Sequence, residues 1–240
     1  MRSSPPRRAA AAEAPDLPSP ALRRRFRRRL LGWYRRNGRD LPWRRTRDPY
    51  HILVSEMMLQ QTQVDRVEPK YQEWLLKYPS LEALAAAPPD EVDRTWRPLG
   101  YNARPRRLHA IAREVTERYD GNLPSDTQTL RSFKGIGAYT AGAIQSFAFG
   151  QRAPIVDTNV ARVLFRVFVG RGNHKEASVH KRIWSLSAAL LPRRDVFDFN
   201  QALMDLGAMV CVARRPRCPV CPMSAICTAQ PFDRAPEDGR

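Results

Sequence analysis

No stretch of this sequence approaches the ~18 consecutive apolar residues that a membrane-spanning helix needs, so no membrane role is expected. No convincing period-2 alternation of apolar and polar residues occurs either, which leaves no clear β-strand. The nucleotide-binding pattern Gly-x-x-x-x-Gly-Lys-Ser/Thr is missing. Acids are outnumbered: 24 Asp and Glu stand against 41 Lys and Arg, a net charge of +17. A polyanion is the natural partner of such a chain, with nucleic acid the default. Cysteine is absent from the first 210 residues. No apolar signal peptide opens the sequence, so disulfides are a poor reading of the four cysteines that follow.

Those four stand as Cys211-x6-Cys218-x2-Cys221-x5-Cys227, with none spare. Four thiolates are what an iron–sulfur cluster or a structural zinc requires. Zinc sites tend to use two close pairs. Here there is one close pair and two wider gaps, which favours [4Fe–4S].

The 240 residues, 42% hydrophobic, suffice for one large or two small cores. The charge is uneven: twelve Arg against Glu13, Asp16 and Asp40 in the first 40 residues carry +9 of the +17, and the rest of the chain is still basic. Residues 1–20, rich in Pro, Ala, Ser and Arg, read as a disordered basic tail. A helical pattern runs from Ala21 to Asn37 through Leu22, Phe26, Leu30, Trp33 and Tyr34, with Arg23–Arg25 and Arg27–Arg29 on a solvated or phosphate-facing side. Asp48-Pro49 and Thr62-x-x-Asp65 read as helix starts. Apolar repeats three and four apart (Leu81, Leu84, Ala85; Leu108, Ile111, Ala112, Val115) predict an all-α protein.

Three local features bear chemistry. Ser125-x-x-Gln128 reads as a capping box opening a helix at Thr127–Phe133; Lys134-Gly135-Ile136-Gly137 then leads into a helix at Ala138–Phe149 that ends at Gly150. The glycines of this tight hairpin permit positive φ and close backbone approach, and its outward amides can seat a phosphate; an ordinary helix–helix turn is the competing reading. Ile52–Leu59 is apolar on nearly every side, so its helix is buried and Glu56 is pushed toward the neutral form that general-acid catalysis needs. From the residues alone, a Glu at the edge of that helix paired with an Arg is the simpler reading. Asp157 follows the apolar Ala153–Val156 and reads most simply as the cap of a helix beginning near Val160.

Together these elements resemble the helix-hairpin-helix base-excision DNA glycosylases that carry an iron–sulfur cluster, and among them most the MutY-type adenine glycosylases. The resemblance runs from about Leu41 to Cys227. It is carried by Leu-Pro-Trp at 41–43, Ser-Glu-Met-Met-Leu-Gln-Gln-Thr-Gln-Val at 55–64, and Leu-Gly-Tyr-Asn-Ala-Arg at 99–104. Further matches are Gly-Ile-Gly-Ala-Tyr-Thr-Ala-Gly-Ala-Ile at 135–144, Val-Asp-Thr-Asn-Val-Ala-Arg-Val at 156–163 and Phe-Asn-Gln-Ala-Leu-Met-Asp-Leu-Gly-Ala-Met-Val-Cys at 199–211.

The resemblance implies an all-α, helix-hairpin-helix fold of two lobes with a DNA cleft between them. A six-helix barrel would span 48–157 and a cluster lobe 158–230; the N-terminal helix of 21–47 would pack with the cluster lobe, and 231–240 would be a tail. It implies a [4Fe–4S] cluster on Cys211, Cys218, Cys221 and Cys227 that holds a loop, with Arg214, Arg215 and Arg217 meeting phosphates. The implied activity is monofunctional: hydrolysis of the glycosidic bond of adenine mispaired with guanine or 8-oxoguanine in double-stranded DNA, by a monomer acting in the cytoplasm on the nucleoid. Glu56 would protonate the departing base and Asp157 stabilise the oxocarbenium-like sugar, with Asn159 in support. Gln60 and Gln61 would enter the duplex, Tyr101 would wedge beside the opposing base, and the Gly135/Gly137 hairpin would hold a phosphate.

Tyr139 stands where the bifunctional endonuclease III-type relatives carry a Lys nucleophile, which implies simple hydrolysis. The sequence departs from the pattern at Thr158, often Gly, and at Asn102, often a second Tyr. It ends 13 residues after Cys227, without the second domain that helps MutY-type enzymes recognise 8-oxoguanine, so the opposing base stays open. Arg47-Asp48-Pro49-Tyr50 is similar to the thymine-mismatch relatives, which makes T:G or U:G removal the alternative substrate. A non-catalytic damage-binding protein with this fold, or a zinc-stabilised regulator, is the rival from another class.

Overall fold

The helix that carries Glu56 has almost no surface facing water, and the molecule is arranged around it. In the computed structural model, residues 17–100, 103–170 and 176–230 are described, and among them lie eleven α-helices and no strand. These are α1 (Pro20–Asn37), α2 (Pro49–Leu59), α3 (Val64–Lys77), α4 (Leu81–Ala86), α5 (Pro89–Trp96) and α6 (Arg104–Arg118), followed by α7 (Thr127–Ser132), α8 (Ala138–Phe147), α9 (Thr158–Leu164), α10 (Ala177–Leu190) and α11 (Val196–Asp205). α9 and α11 each run on into a wider π-turn, Phe165–Val169 and Leu206–Val210.

α2 buries Tyr50 and every residue from Ile52 to Met58. Each fully buried aliphatic side chain contributes roughly 1.5–3 kcal/mol, so this helix anchors the core. Its start is well specified. Asp48 Oδ1 accepts from the amides of Tyr50 (2.8 Å) and His51 (3.0 Å), and Pro49 takes the first position, where its missing N–H costs nothing. α2 packs on α3, α6 and α8, and α6 in turn carries α4 and α5. An aromatic cluster closes this side: Trp74 meets Tyr78 and Trp96 edge-on at 4.8 and 5.3 Å, and the buried Tyr50 hydroxyl donates to the Tyr78 carbonyl at 2.7 Å.

The second group of helices joins the two ends of the chain. Phe26, Leu30 and Trp33, spaced four and three apart, form the buried stripe of α1, which packs on α11 and α10. The arginine runs are only partly a solvated face. Arg24, Arg25, Arg28, Arg35 and Arg36 are exposed. Arg27, in contrast, donates to the carbonyls of Ala189, Leu190 and Leu191 at 2.7–2.9 Å, capping the end of α10, and Arg29 reaches the Pro222 carbonyl at 3.0 Å.

Several boundaries differ from expectation. α1 begins at Pro20, capped by Ser19, so the last residue of the expected tail is helical; residues 1–16 lie outside the described residues. α7 is capped by Asp126, whose Oδ1 accepts from the Thr129 amide at 2.8 Å, and not by Ser125: the two are equally good caps, and the backbone register places Asp126 at the cap position. Thr62 does not cap α3, which starts at Val64; its hydroxyl is engaged by Arg104. α8 ends at Phe147, short of Phe149.

α8 passes the Ala153–Val156 stretch at Gly142, where an added Cβ would stand 2.3 Å from the Pro154 carbonyl oxygen. Backbone on both sides leaves little room to yield. Gly142→Ala should destabilise the fold by about 2 kcal/mol. That corresponds to a melting temperature roughly 4–8 °C lower in thermal denaturation; an unchanged value would show that this crossing is loose.

Candidate active site

A cleft of about 690 Å3 lies where the C-terminal end of α2 meets α8, α9 and α11. Glu56, Gln60, Gln61, Tyr139, Asp157 and Asn159 all line it. Six residues from three separate stretches of the sequence thus share one cavity.

Glu56 is 5% exposed, and no ion pair holds it among the described residues, contrary to the Arg-paired edge position. Burial pushes its carboxyl up to about 7; the Tyr139 phenol opposes the shift, Asp157 adds to it, and Arg44 opposes it. Tyr139 donates to Met204 Sδ at 3.3 Å and faces Glu56, and burial drives its own pKa well above the usual phenol value, so it stays protonated.

Asp157 caps α9: Oδ1 accepts from the Val160 amide at 2.6 Å and Oδ2 from Asn159 Nδ2 at 3.1 Å. The cap reading was right, and the capping carboxylate also faces the cleft. Burial raises its pKa, while the Val160 and Asn159 hydrogen bonds and the Arg162 charge act the other way. Two carboxyl groups in different surroundings, one buried with no ion pair among the described residues and one on a helix N-terminus, are the arrangement that separates an acid from a charge stabiliser.

Two residues that the sequence reading passed over bear on the cleft: Asp205 lies behind its wall, reaching it only through Arg39 and Arg44, and Gln201 lines it directly. Asp205, fully buried, accepts from Arg39 (backbone N 2.9 Å, Nε 2.7 Å) and from both Arg44 Nη atoms at 2.8 Å. Burial alone would raise its pKa; Arg44 and Arg39 outweigh it and hold the carboxyl below the usual range. Its signal was the one that marked Glu56, an acid inside an apolar run, Leu203-Met204-Asp205-Leu206. Gln201 is 3% exposed, lines the cleft, and leaves its Oε1 without a hydrogen-bond partner among the described residues. A single glutamine on an apolar helix face carries no sequence signal of that kind.

The four cysteines are free and line a second, smaller pocket together. No three His, Cys, Asp or Glu side chains among the described residues are gathered tightly enough to hold a single metal ion. Burial pushes the Cys221 thiol up to about 11 and raises Cys227 as well. N–H groups point at the sulfurs: Arg166 Nη1 lies 3.5 Å from Cys211 Sγ and the Met223 amide 3.4 Å from Cys221 Sγ. This donor set fits a thiolate-bound cluster. Arg162 links the two pockets, donating to Asn159 Oδ1 (2.7 Å), to the Gly207 carbonyl (2.8 Å) and, through Nε, to the Cys211 carbonyl (2.7 Å). Gly207 allows the approach, since a Cβ there would stand 2.7 Å from Asn159 Cβ.

The other predicted positions lie outside the cleft lining. Gly135 has φ +109°, and exposed Gly137 precedes the first turn of α8. Arg214, Arg215 and Arg217 are exposed on the loop between Cys211 and Cys218. Tyr101 and Asn102 lie outside the described residues.

Comparison with known proteins agrees with this geometry. Residues 54–189 match the HhH-GPD superfamily of base excision DNA repair proteins. An adenine DNA glycosylase of Mycolicibacterium smegmatis is 48% identical over 197 residues, covering 81% of this chain and 66% of that protein. The human adenine DNA glycosylase is 45% identical over 214 residues, covering 85% of this chain and 39% of the human protein. The chain therefore spans between two fifths and two thirds of the length of these relatives. A solved thermostable thymine-DNA glycosylase superposes with a TM-score of 0.81 at 34% identity, covering 88% of this chain and 97% of that one. The match over more than half of the sequence, carried on the all-helical fold and the cleft just described, makes this chain a member of the HhH-GPD superfamily of base excision DNA repair proteins.

Proposed function

We propose that this chain is a monofunctional DNA glycosylase that hydrolyses the N-glycosidic bond of adenine mispaired with guanine or 8-oxoguanine in double-stranded DNA. The observation that carries the proposal is the meeting, in one cleft, of Glu56 with a pKa of about 7 and Asp157 on the N-terminus of α9. A base must leave the stack before its glycosidic bond can be reached, and the cleft is of the size that takes such a group. Glu56, protonated below about pH 7, donates to the departing base and then serves as base toward water. Asp157, held by Val160 and Asn159, stabilises the positive charge that grows on the sugar. Tyr139, a protonated phenol, packs against Glu56 and supplies no amine for a Schiff base.

Gln201 can serve adenine. Its unpaired Oε1 needs an N–H donor. Adenine offers one in its N6 amine. The likeness to a thymine-DNA glycosylase structure supports T:G removal as the second reading, at lower identity than the adenine relatives.

Duplex DNA would be held by the hairpin at Gly135–Gly137 and by Arg214, Arg215 and Arg217, with Gln60, Gln61 and Tyr101 entering the helix. We assign a [4Fe–4S] cluster to Cys211, Cys218, Cys221 and Cys227. When bound it pins the loop that carries the three arginines. We further propose that the protein acts as a monomer in the cytoplasm, on the nucleoid.

Four outcomes are expected. In single-turnover assays on a panel of A and T mispairs, Asp157→Asn and Glu56→Gln should each lose base removal by at least about a hundredfold, the lower end of general acid–base contributions, while still binding duplex. The wild-type product should be an intact abasic strand that breaks only with alkali and is not trapped by borohydride; near-normal rates in either variant would sink the two-carboxylate mechanism. The purified protein should be brown and hold about four iron per chain; stoichiometric zinc without iron overturns the cluster assignment.

The fourth outcome is a pH effect. Glu56 titrates near 4.5 when unfolded and about 7 when folded, so the native state binds the extra proton between these values. Its contribution to stability is therefore present below about pH 4.5 and lost as pH rises through 7. Glu56→Gln should melt above the wild type at pH 8, with the gap closing toward pH 5. A pH-independent gap would show that Glu56 is not the titrating group.

A further inference from the structure

We propose that Arg104 is the positioning residue for the Gln60–Gln61 turn, and that without it the duplex is opened poorly although the chemistry of the cleft survives. The inference rests on the reading above that this turn enters DNA.

α2 reaches its end at Leu59 with no glycine to turn the chain and with carbonyls that no helical amide can satisfy. Leu59 O is taken by the Thr62 amide at 3.3 Å. Those of Met57, Met58 and Gln60 are taken by a side chain more than forty residues downstream. Arg104 opens α6, is 9% exposed, and places Nη1 among the carbonyls of Met57 (3.3 Å), Met58 (2.9 Å) and Gln60, and the Thr62 hydroxyl (3.0 Å). Its Nη2 donates to the Leu99 carbonyl at 3.1 Å, and its guanidinium lies 5.4 Å from the centre of the Trp96 ring.

One planar cation thus caps α2, fixes both sides of the turn, and ties it to the chain just before Gly100. The turn needs this. Gln61 is exposed and sits at φ +56°, a left-handed conformation that a glutamine keeps only when its surroundings hold it. Glu56 lies a full turn earlier and Asp157 is on another element, so neither depends on the guanidinium for its place. A lysine cannot reproduce the arrangement: its compact ammonium does not bridge two segments or lie flat against an indole.

The test uses Arg104→Lys and the milder Thr62→Ala on the full chain. Two duplexes carry the same adenine, one mispaired with guanine and one opposite a one-nucleotide gap, where no partner has to be separated. A neighbouring 2-aminopurine reports unstacking. Arg104→Lys should slow single-turnover cleavage of the mispair by about tenfold or more while changing the gapped substrate by less than about threefold, because extrusion costs least for an already unpaired base. Thr62→Ala should shift the ratio the same way by a smaller factor. Equal slowing on both duplexes, or none on the mispair, overturns the proposal. If Arg104→Lys does not fold, as judged by its melting curve, the Thr62→Ala ratio decides by the same rule. If the wild type cleaves neither duplex, the glycosylase reading fails separately, and the 2-aminopurine signal decides alone: weaker unstacking in the variants supports the positioning role, and equal unstacking overturns it.

Discussion

A carboxylate sealed from water must be answered by cations, and Asp205 is the point at which this molecule meets that demand. Its two oxygens accept hydrogen bonds from Arg39 and Arg44, which lie on the segment between α1 and α2. The pair draws that segment onto α11 and sets the Arg44 side chain at the wall of the cleft, within electrostatic reach of Glu56. Removing one partner of such a buried pair strands the other's charge, at a cost of about 3–5 kcal/mol. The shape of the cleft and the packing of the N-terminal helix therefore share one electrostatic anchor.

Asp157 shows a related economy. The two hydrogen bonds that start α9 also orient the carboxylate toward the cleft. Asn159 then passes the constraint to Arg162, and Arg162 to the Cys211 carbonyl. The cysteine loop and the carboxylate are joined by polar contacts of 2.7–3.1 Å through two intermediate side chains. Both π-turns lie on this path: Gly207, in the second, offers its carbonyl to Arg162, and Arg166, in the first, contacts Cys211. A widened turn frees carbonyls that a regular helix would consume, and here the arginines take them.

Much of this was legible before any coordinates. The apolar run around Glu56 pointed to a buried helix, because one carboxyl among six apolar residues has no water-facing stripe to occupy; local pattern alone still favoured an edge position paired with an Arg, and only the family resemblance tipped it to a buried acid. Asp48-Pro49 announced a helix start, since cap and proline act locally. The residues that escaped notice act at a distance. Arg104 serves carbonyls more than forty positions upstream, and Arg27 serves carbonyls about 160 downstream; arginine in a basic chain looks like solvated charge until its acceptors are located. The capping of α7 went to Asp126 over Ser125 for a similar reason: adjacent candidates differ by one residue of register, which only backbone geometry decides.

The docking of α1 carries a consequence for how the chain is made. Its apolar stripe packs chiefly on α10 and α11, and Arg27 finds its acceptors only at residues 189–191. A ribosome releases the first helix well before the last. During the synthesis of more than 150 residues, Phe26, Leu30 and Trp33 have no native surface to meet, while α2–α8 already possess one another. The central helices are thus free to assemble first, and the opening segment waits as a charged amphipathic strand of chain until the far end arrives to receive it. Six arginines within the first eleven residues of that helix keep it soluble through the delay, mutual repulsion doing for the nascent chain what burial later does for the finished one.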